Sequence, residues 1–133
     1  MTEPEEKWTE GRMLALLQAK YSPGDRMAPE WVTFSQVRSH PTKNVRTIDF
    51  WAMNCWNSGG FRTIAVEVKV ARSDWLREIN NIEKRQEWKG LVHQFYYCAP
   101  NKVIKPEEVP EGYGLMVPAG ANGLRTVVQP KMD

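Results

Sequence analysis

The stretch Thr63-Ile64-Ala65-Val66-Glu67-Val68-Lys69-Val70 reads as a buried β-strand that carries two charged side chains. An ionised carboxylate or ammonium taken out of water costs several kcal/mol unless it is paired, hydrogen-bonded or metal-bound, a cost comparable with the whole stability of a small domain. Side chains alternate between the faces of a strand, so Glu67 and Lys69 share one face while Ile64, Val66, Val68 and Val70 line the other. The sequence therefore calls for a partner on the Glu67 and Lys69 face. A carboxylate beside an amine suits a metal ion and a phosphate.

Upstream, Asn57-Ser58-Gly59-Gly60 reads as a turn, and residues 46–53 read as a strand with Ile48 and Phe50 on one face and Thr47, Asp49 and Trp51 on the other. Two strands joined by a short Gly-rich connection predict a hairpin that sets Asp49 beside Glu67. Earlier still, a helix starts near Thr9 with Met13, Leu14, Leu16 and Leu17 as its apolar stripe, and Pro23-Gly24-Asp25 ends it. Residues 31–37, rich in aromatic and β-branched side chains, predict another strand, followed by a polar loop over 39–44.

Downstream, Ser73 caps a helix with Asp74 in its first turn, where the helix dipole favours negative charge. Trp75, Ile79 and Ile82, continuing to Trp88 and Leu91, form its apolar face; Arg77, Glu78, Lys84, Arg85 and Glu87 decorate the rest, and Gly90 ends it. A strand over 92–99, a helical turn at Pro106-Glu107-Glu108 and short strands over 113–117 and 124–128 complete the chain. This order predicts an α/β fold, a mixed central β-sheet flanked by helices with an α-β-β-β-α-β core. Residues 1–7 read as a disordered acidic tail and 8–133 as one domain, consistent with a length of 133 residues.

No stretch approaches the roughly 18 apolar residues that a membrane helix needs, and the polar start is unlike a signal peptide, so a cytoplasmic setting is expected. Cys55 and Cys98 lack metal-ligand spacing and read as reduced core thiols. A formal charge of +2 does not argue for nucleic acid by itself, but Glu3, Glu5 and Glu6 mask a basic cluster at Arg72, Arg77, Lys84, Arg85 and Lys89. His40 and His93 read as structural or exposed. Trp31, Trp51, Trp75 and Trp88 read as core, with Trp56 beside the turn the best candidate for stacking on a base.

Glu-x-Lys occurs three times, at Glu5-Glu6-Lys7, Glu67-Val68-Lys69 and Glu87-Trp88-Lys89. The first lies in the polar tail, and the last lies in a helix, where residues two apart do not face each other. The middle copy has a second carboxylate, Asp49, 18 positions upstream on the neighbouring strand. Two such carboxylates can hold Mg²⁺ while the ion keeps several waters and takes a phosphate. A nearby lysine can orient or deprotonate the attacking water, or neutralise charge building on the phosphate. Phosphodiester hydrolysis is the reaction class that this set suggests.

Asp49 followed by Glu67-Val68-Lys69 at the end of a hairpin, then an amphipathic helix and a strand, resembles the PD-(D/E)XK, or restriction-endonuclease-like, nuclease superfamily. The continuation Val70-Ala71-Arg72-Ser73-Asp74-Trp75, Lys84, Phe95-Tyr96-Tyr97, Ala99-Pro100, Pro110 and Gly114-Leu115 is similar to its MmcB-like branch, described as DNA-repair related and also seen among phage-type proteins. The resemblance covers residues 46–117. It implies a nuclease acting on DNA in repair or phage DNA processing, with Asp49 and Glu67 as ligands of Mg²⁺ or Mn²⁺ and Lys69 as catalytic lysine. It also implies that Arg72 and Ser73 meet a phosphate at a helix start and that Lys84 contacts the DNA backbone or supports the site. Many members carry a further glutamate on an early element; Gln36 is the best-placed residue here and Glu30 the other candidate. Many folds of this class act on duplexes as dimers, so a homodimer belongs to the expectation.

Three alternatives follow from the same residues. Glu67 and Lys69 could form a plain salt bridge while Asp49 pairs with Arg46 or Arg62. Gln36, an amide that supplies no charge, favours an inactive nuclease-fold module that binds nucleic acid or a protein partner. A protein-binding scaffold would leave Asp49, Glu67 and Lys69 unconverged.

Overall fold

The structure, a computed structural model, describes residues 8–21, 30–38, 47–56, 58, 60–80, 88–120 and 122–132. Helix α1 (Glu10–Tyr21) precedes three strands, β1 (Trp31–Arg38), β2 (Thr47–Asn54) and β3 (Thr63–Val68). Helix α2 (Arg72–Ile79) then leads to β4 (Gln94–Cys98), a 3-10 turn (Pro106–Glu108), β5 (Gly114–Pro118) and β6 (Leu124–Val128). The six strands form one sheet in chain order. β3, β4 and β5 run parallel, and the remaining neighbours pair antiparallel. The α/β architecture expected from the sequence is therefore the architecture observed, a mixed sheet with helices on its faces. Residues 1–7, the 23–25 turn, the 39–44 loop, Arg46, His40 and Lys84 lie outside the described residues.

Each face of the sheet has its own core. Met13, Leu17 and Tyr21 of α1, four residues apart on one helix face, pack with Phe50, Ile64, Val66, Val68 and Tyr96. Trp75 of α2 packs with Ala65, Phe95, Tyr97 and Leu115 on the opposite face. Thr9 starts α1 by accepting the Arg12 N–H on its hydroxyl at 3.1 Å, the bond of an N-cap. Helix α2 departs from the expected start. Ala71 occupies the N-cap without a side-chain bond, and Ser73 lies inside the helix, exposed. Asn80 ends α2, and residues 88–91 are again helical.

The parallel strands are buried on both faces, which gives β3 its near-continuous apolar sequence. Gly114 opens β5 because a Cβ there would come 2.8 Å from both the Tyr96 ring and Pro130.

One expectation about β2 fails in an informative way. Ile48 and Phe50, two residues apart, pack into opposite cores, and so do Trp31 and Val37 of β1, six apart. Both strands change faces at the same place, the pair Gln36 and Asp49. Gln36 has φ 54°, a left-handed conformation that non-glycine residues adopt at a cost of about 1 kcal/mol or more.

Candidate active site

The face switch sets Asp49 at the carboxyl end of β3. The β2–β3 ladder runs from Met53↔Thr63 to Phe50↔Val66, and continuing it would oppose Asp49 and Glu67. There the Asp49 side chain takes over the ladder's role: its Oδ2 accepts the Val68 N–H at 2.8 Å. Its Oδ1 accepts from the Gln36 amide at 3.4 Å, and the same amide donates to Glu10 Oε1 at 3.4 Å. One amide thus holds two carboxylates from different elements. The Glu10 carboxyl is pushed up from its ordinary value, first by burial and then by the negative charge of Asp49 and a hydrogen bond with it; the Gln36 amide and the Lys69 charge oppose the shift.

Glu67 and Lys69 reach the other side of this edge. Glu67 is 4 % exposed, in register with Tyr97 and on the face that carries Ala65 in the α2 core. Lys69 follows β3, extends the parallel ladder through its N–H to Cys98 O at 3.0 Å, and places its Nζ 3.5 Å from Glu78 Oε1. Glu78 also accepts the Tyr97 hydroxyl at 3.1 Å. The sequence pattern sets Glu78 on the polar side of the helix, whereas α2 buries it to 9 % exposure. Two residues absent from the sequence-based set, Glu10 and Glu78, therefore complete the surroundings of Asp49 and Lys69. Glu10 lies in the first turn of α1, and its proximity to Asp49 depends on how α1 docks.

Other expected site residues are placed elsewhere. Arg72 turns both arms of its guanidinium onto the Glu108 carboxylate and donates to Val103 O at 2.9 Å. Arg72 hydrogen bonding, with help from the Lys105 N–H, pulls the Glu108 carboxyl down to about 2, and the same pairing raises the Arg72 pKa. This bidentate pair occupies the fork that the sequence assigns to a phosphate. Glu30 accepts from the Asn54 amide at 2.8 Å at the amino end of β1, away from Gln36 at the other end of the strand. Arg62 stands over the Trp31 ring at 5.4 Å and does not pair with Asp49. His93 is structural, its Nδ1 accepting the Thr63 N–H at 2.9 Å. Cys55 and Cys98 are free thiols, and burial pushes Cys98 up to about 12. Trp75 and Trp88 are core, and Trp56 is exposed.

Among the described residues, no group of three or more His, Cys, Asp or Glu side chains is arranged to hold a metal. The donor chemistry at Asp49 nevertheless fits a hard divalent cation that keeps most of its waters, since such an ion is bound through one or two carboxylates. The rise of the Glu10 carboxyl comes first from burial and then from the neighbouring Asp49 charge. Among the described residues, no helix is long and apolar enough to cross a membrane.

No family model and no curated protein matches the chain. The fold is similar to the solved structure of a protein of unknown function from Silicibacter pomeroyi, at a TM-score of 0.61 and 16 % sequence identity over 92 % of this chain and 70 % of that one. At that identity the likeness concerns the fold.

Proposed function

We propose that the chain is a metal-dependent DNA nuclease of the restriction-endonuclease-like class, hydrolysing phosphodiester bonds in a cytoplasmic setting of repair or phage DNA processing. The observation that carries this reading is the meeting of Glu10 and Asp49 on the Gln36 amide at the carboxyl end of β3, where Asp49 also accepts the Val68 N–H. Asp49 and Glu67 would hold Mg²⁺ or Mn²⁺, an ion that is bound through one or two carboxylates and keeps most of its waters. When bound, such an ion polarises the phosphate and acidifies a coordinated water.

The chain's own residues divide the remaining work. Asp49 is oriented through both oxygens, by Val68 N–H and the Gln36 amide, so it meets a ligand pre-organised. Lys69, 18 % exposed and beside Glu78, is a cation that neutralises charge building on the phosphate. DNA and a second copy of the chain are the expected partners.

The test is a cleavage panel of single-stranded, duplex, flapped and branched DNA with Mg²⁺ or Mn²⁺. The nuclease cuts at least one form, and Lys69→Ala abolishes cutting while binding survives. A second reading, an inactive nuclease-fold module that binds nucleic acid or a protein partner, is favoured by Gln36, an amide that supplies no charge where many relatives of the class carry a glutamate. Retained binding with no cleavage across the whole panel would establish that module instead.

A further inference from the structure

A cavity of about 350 Å³ lies between the segment after β4 and the α2 face of β5 and β6. Its floor is aliphatic, made by Ile104, Leu115, Val117 and Val127. Its remaining lining carries three cations, Lys102, Lys105 and Arg125, against one carboxylate, Glu107. All four charged residues are exposed, while Ile104, Leu115 and Val117 are buried. Apolar depth beneath a net positive mouth is the lining of a site for an organic anion, and the volume falls at the small end of the range for ligand pockets, roughly 300–1,000 Å³.

The wall of this cavity is built. Arg72 grips Val103 O and Glu108, the two ends of the segment whose middle residues line the cavity. The Lys105 N–H donates to Glu108 Oε1 at 2.9 Å, and the Asn101 amide donates to Pro118 O at 3.3 Å, tying the segment to the end of β5. Lys102 is held at φ 75°, a left-handed conformation that persists where surrounding structure imposes it. On β6, Arg125 stands opposite Val117, so it shares the sheet face of the apolar floor and lines the cavity. The cavity also adjoins the carboxyl ends of parallel strands, where open α/β sheets take their ligands.

We infer that this cavity binds a small organic anion of about mononucleotide size, its phosphate or carboxylate on Lys102, Lys105 and Arg125 and its apolar body on Leu115, Val117 and Val127. The inference goes beyond the nuclease reading, since none of these residues belongs to the Asp49 edge. The head group could come from a nucleotide or from an aliphatic acid, and two probes separate these sources.

The test titrates the full chain with thymidine 5′-monophosphate and with hexanoate, beside their uncharged counterparts thymidine and hexanamide, by calorimetry and by methyl NMR of Ile104, Leu115 and Val127. At least one anion binds with a dissociation constant below about 1 mM, and its neutral counterpart binds about tenfold more weakly or worse. Arg125→Glu and Lys105→Glu, both at exposed positions, each weaken that anion about tenfold, the scale of one charge-assisted contact. Val127→Trp, which fills the floor, removes binding; if that variant fails to fold, Arg125→Glu decides. Absence of methyl shifts with either anion, equal binding of the neutral compounds, or affinity unchanged by Arg125→Glu overturns the assignment.

Discussion

Two charge constellations stand where the chain leaves β3 and β4, and they are built in opposite ways. At Arg72 and Glu108, opposite charges meet through both arms of the guanidinium, and Glu108 is pulled down to about 2. At Glu10 and Asp49, two carboxylates share one amide, and the Glu10 carboxyl is pushed up. The first arrangement satisfies itself and holds the backbone. The second leaves negative charge only partly offset, which is tolerated where a ligand supplies the balance. In the sequence both look alike, as charged residues around a Glu-x-Lys strand.

The largest effect expected from this difference is a crossing of phenotypes. Asp49→Asn keeps an oxygen to accept the Val68 N–H and removes a charge from beside Glu10, so thermal stability holds or rises while DNA cleavage falls by about a hundredfold or more. Glu108→Gln does the reverse, lowering the melting temperature while cleavage persists. Loss of stability in Asp49→Asn, or loss of cleavage in Glu108→Gln at a temperature where it is folded, breaks the distinction.

The pH dependences carry opposite signs as well. Glu108 is depressed from 4.5 to about 2, so its contribution is complete above the unfolded value and is lost as pH falls from about 4.5 toward about 2. Glu10 is raised, so the stability tied to its proton is present below its ordinary value and is lost as pH rises through its folded value. Denaturation across pH therefore shows Asp49→Asn flattening the decline above the ordinary carboxylate range and Glu108→Gln flattening the decline below it. A mutant curve parallel to the parent curve in either window contradicts the corresponding assignment.

The comparison also marks what the sequence can disclose. The strands and both helix starts to within two residues follow from period and turn chemistry, which are local. Glu10, Glu78 and the Glu108 partner of Arg72 do not, because each is set by the docking of elements remote in the chain. Glu78 is the clearest case: helical spacing sets it with Arg77 on the polar side, yet it is buried because Tyr97 of β4 and Lys69, just after β3, reach it. The face switch in β1 and β2 is equally hidden, since nothing in the alternation of residues 31–37 or 46–53 signals a left-handed Gln36.

Glu78 tests the boundary between the two constellations, for it pairs with a cation while serving the proposed site. Glu78→Gln keeps an acceptor for the Tyr97 hydroxyl and removes the charge that steadies Lys69. Cleavage then falls about tenfold through kcat, with DNA binding unchanged, as expected when one positioned group loses its orientation. An unaltered kcat would make the Lys69 and Glu78 pair structural, on the side of Arg72 and Glu108.

The smallest effect belongs to Gln36. Gln36→Gly relieves a left-handed backbone and so raises stability by up to about 1 kcal/mol, after the greater chain entropy of glycine is set against it. The same change removes the amide that lowers the Glu10 pKa, so Glu10 holds its proton to higher pH than in the parent protein. Carboxyl NMR titration of Glu10 reads this directly. A Glu10 titration that does not move upward would mean that the amide does not hold the two carboxylates together, and their crowding would then rest on the docking of α1 alone.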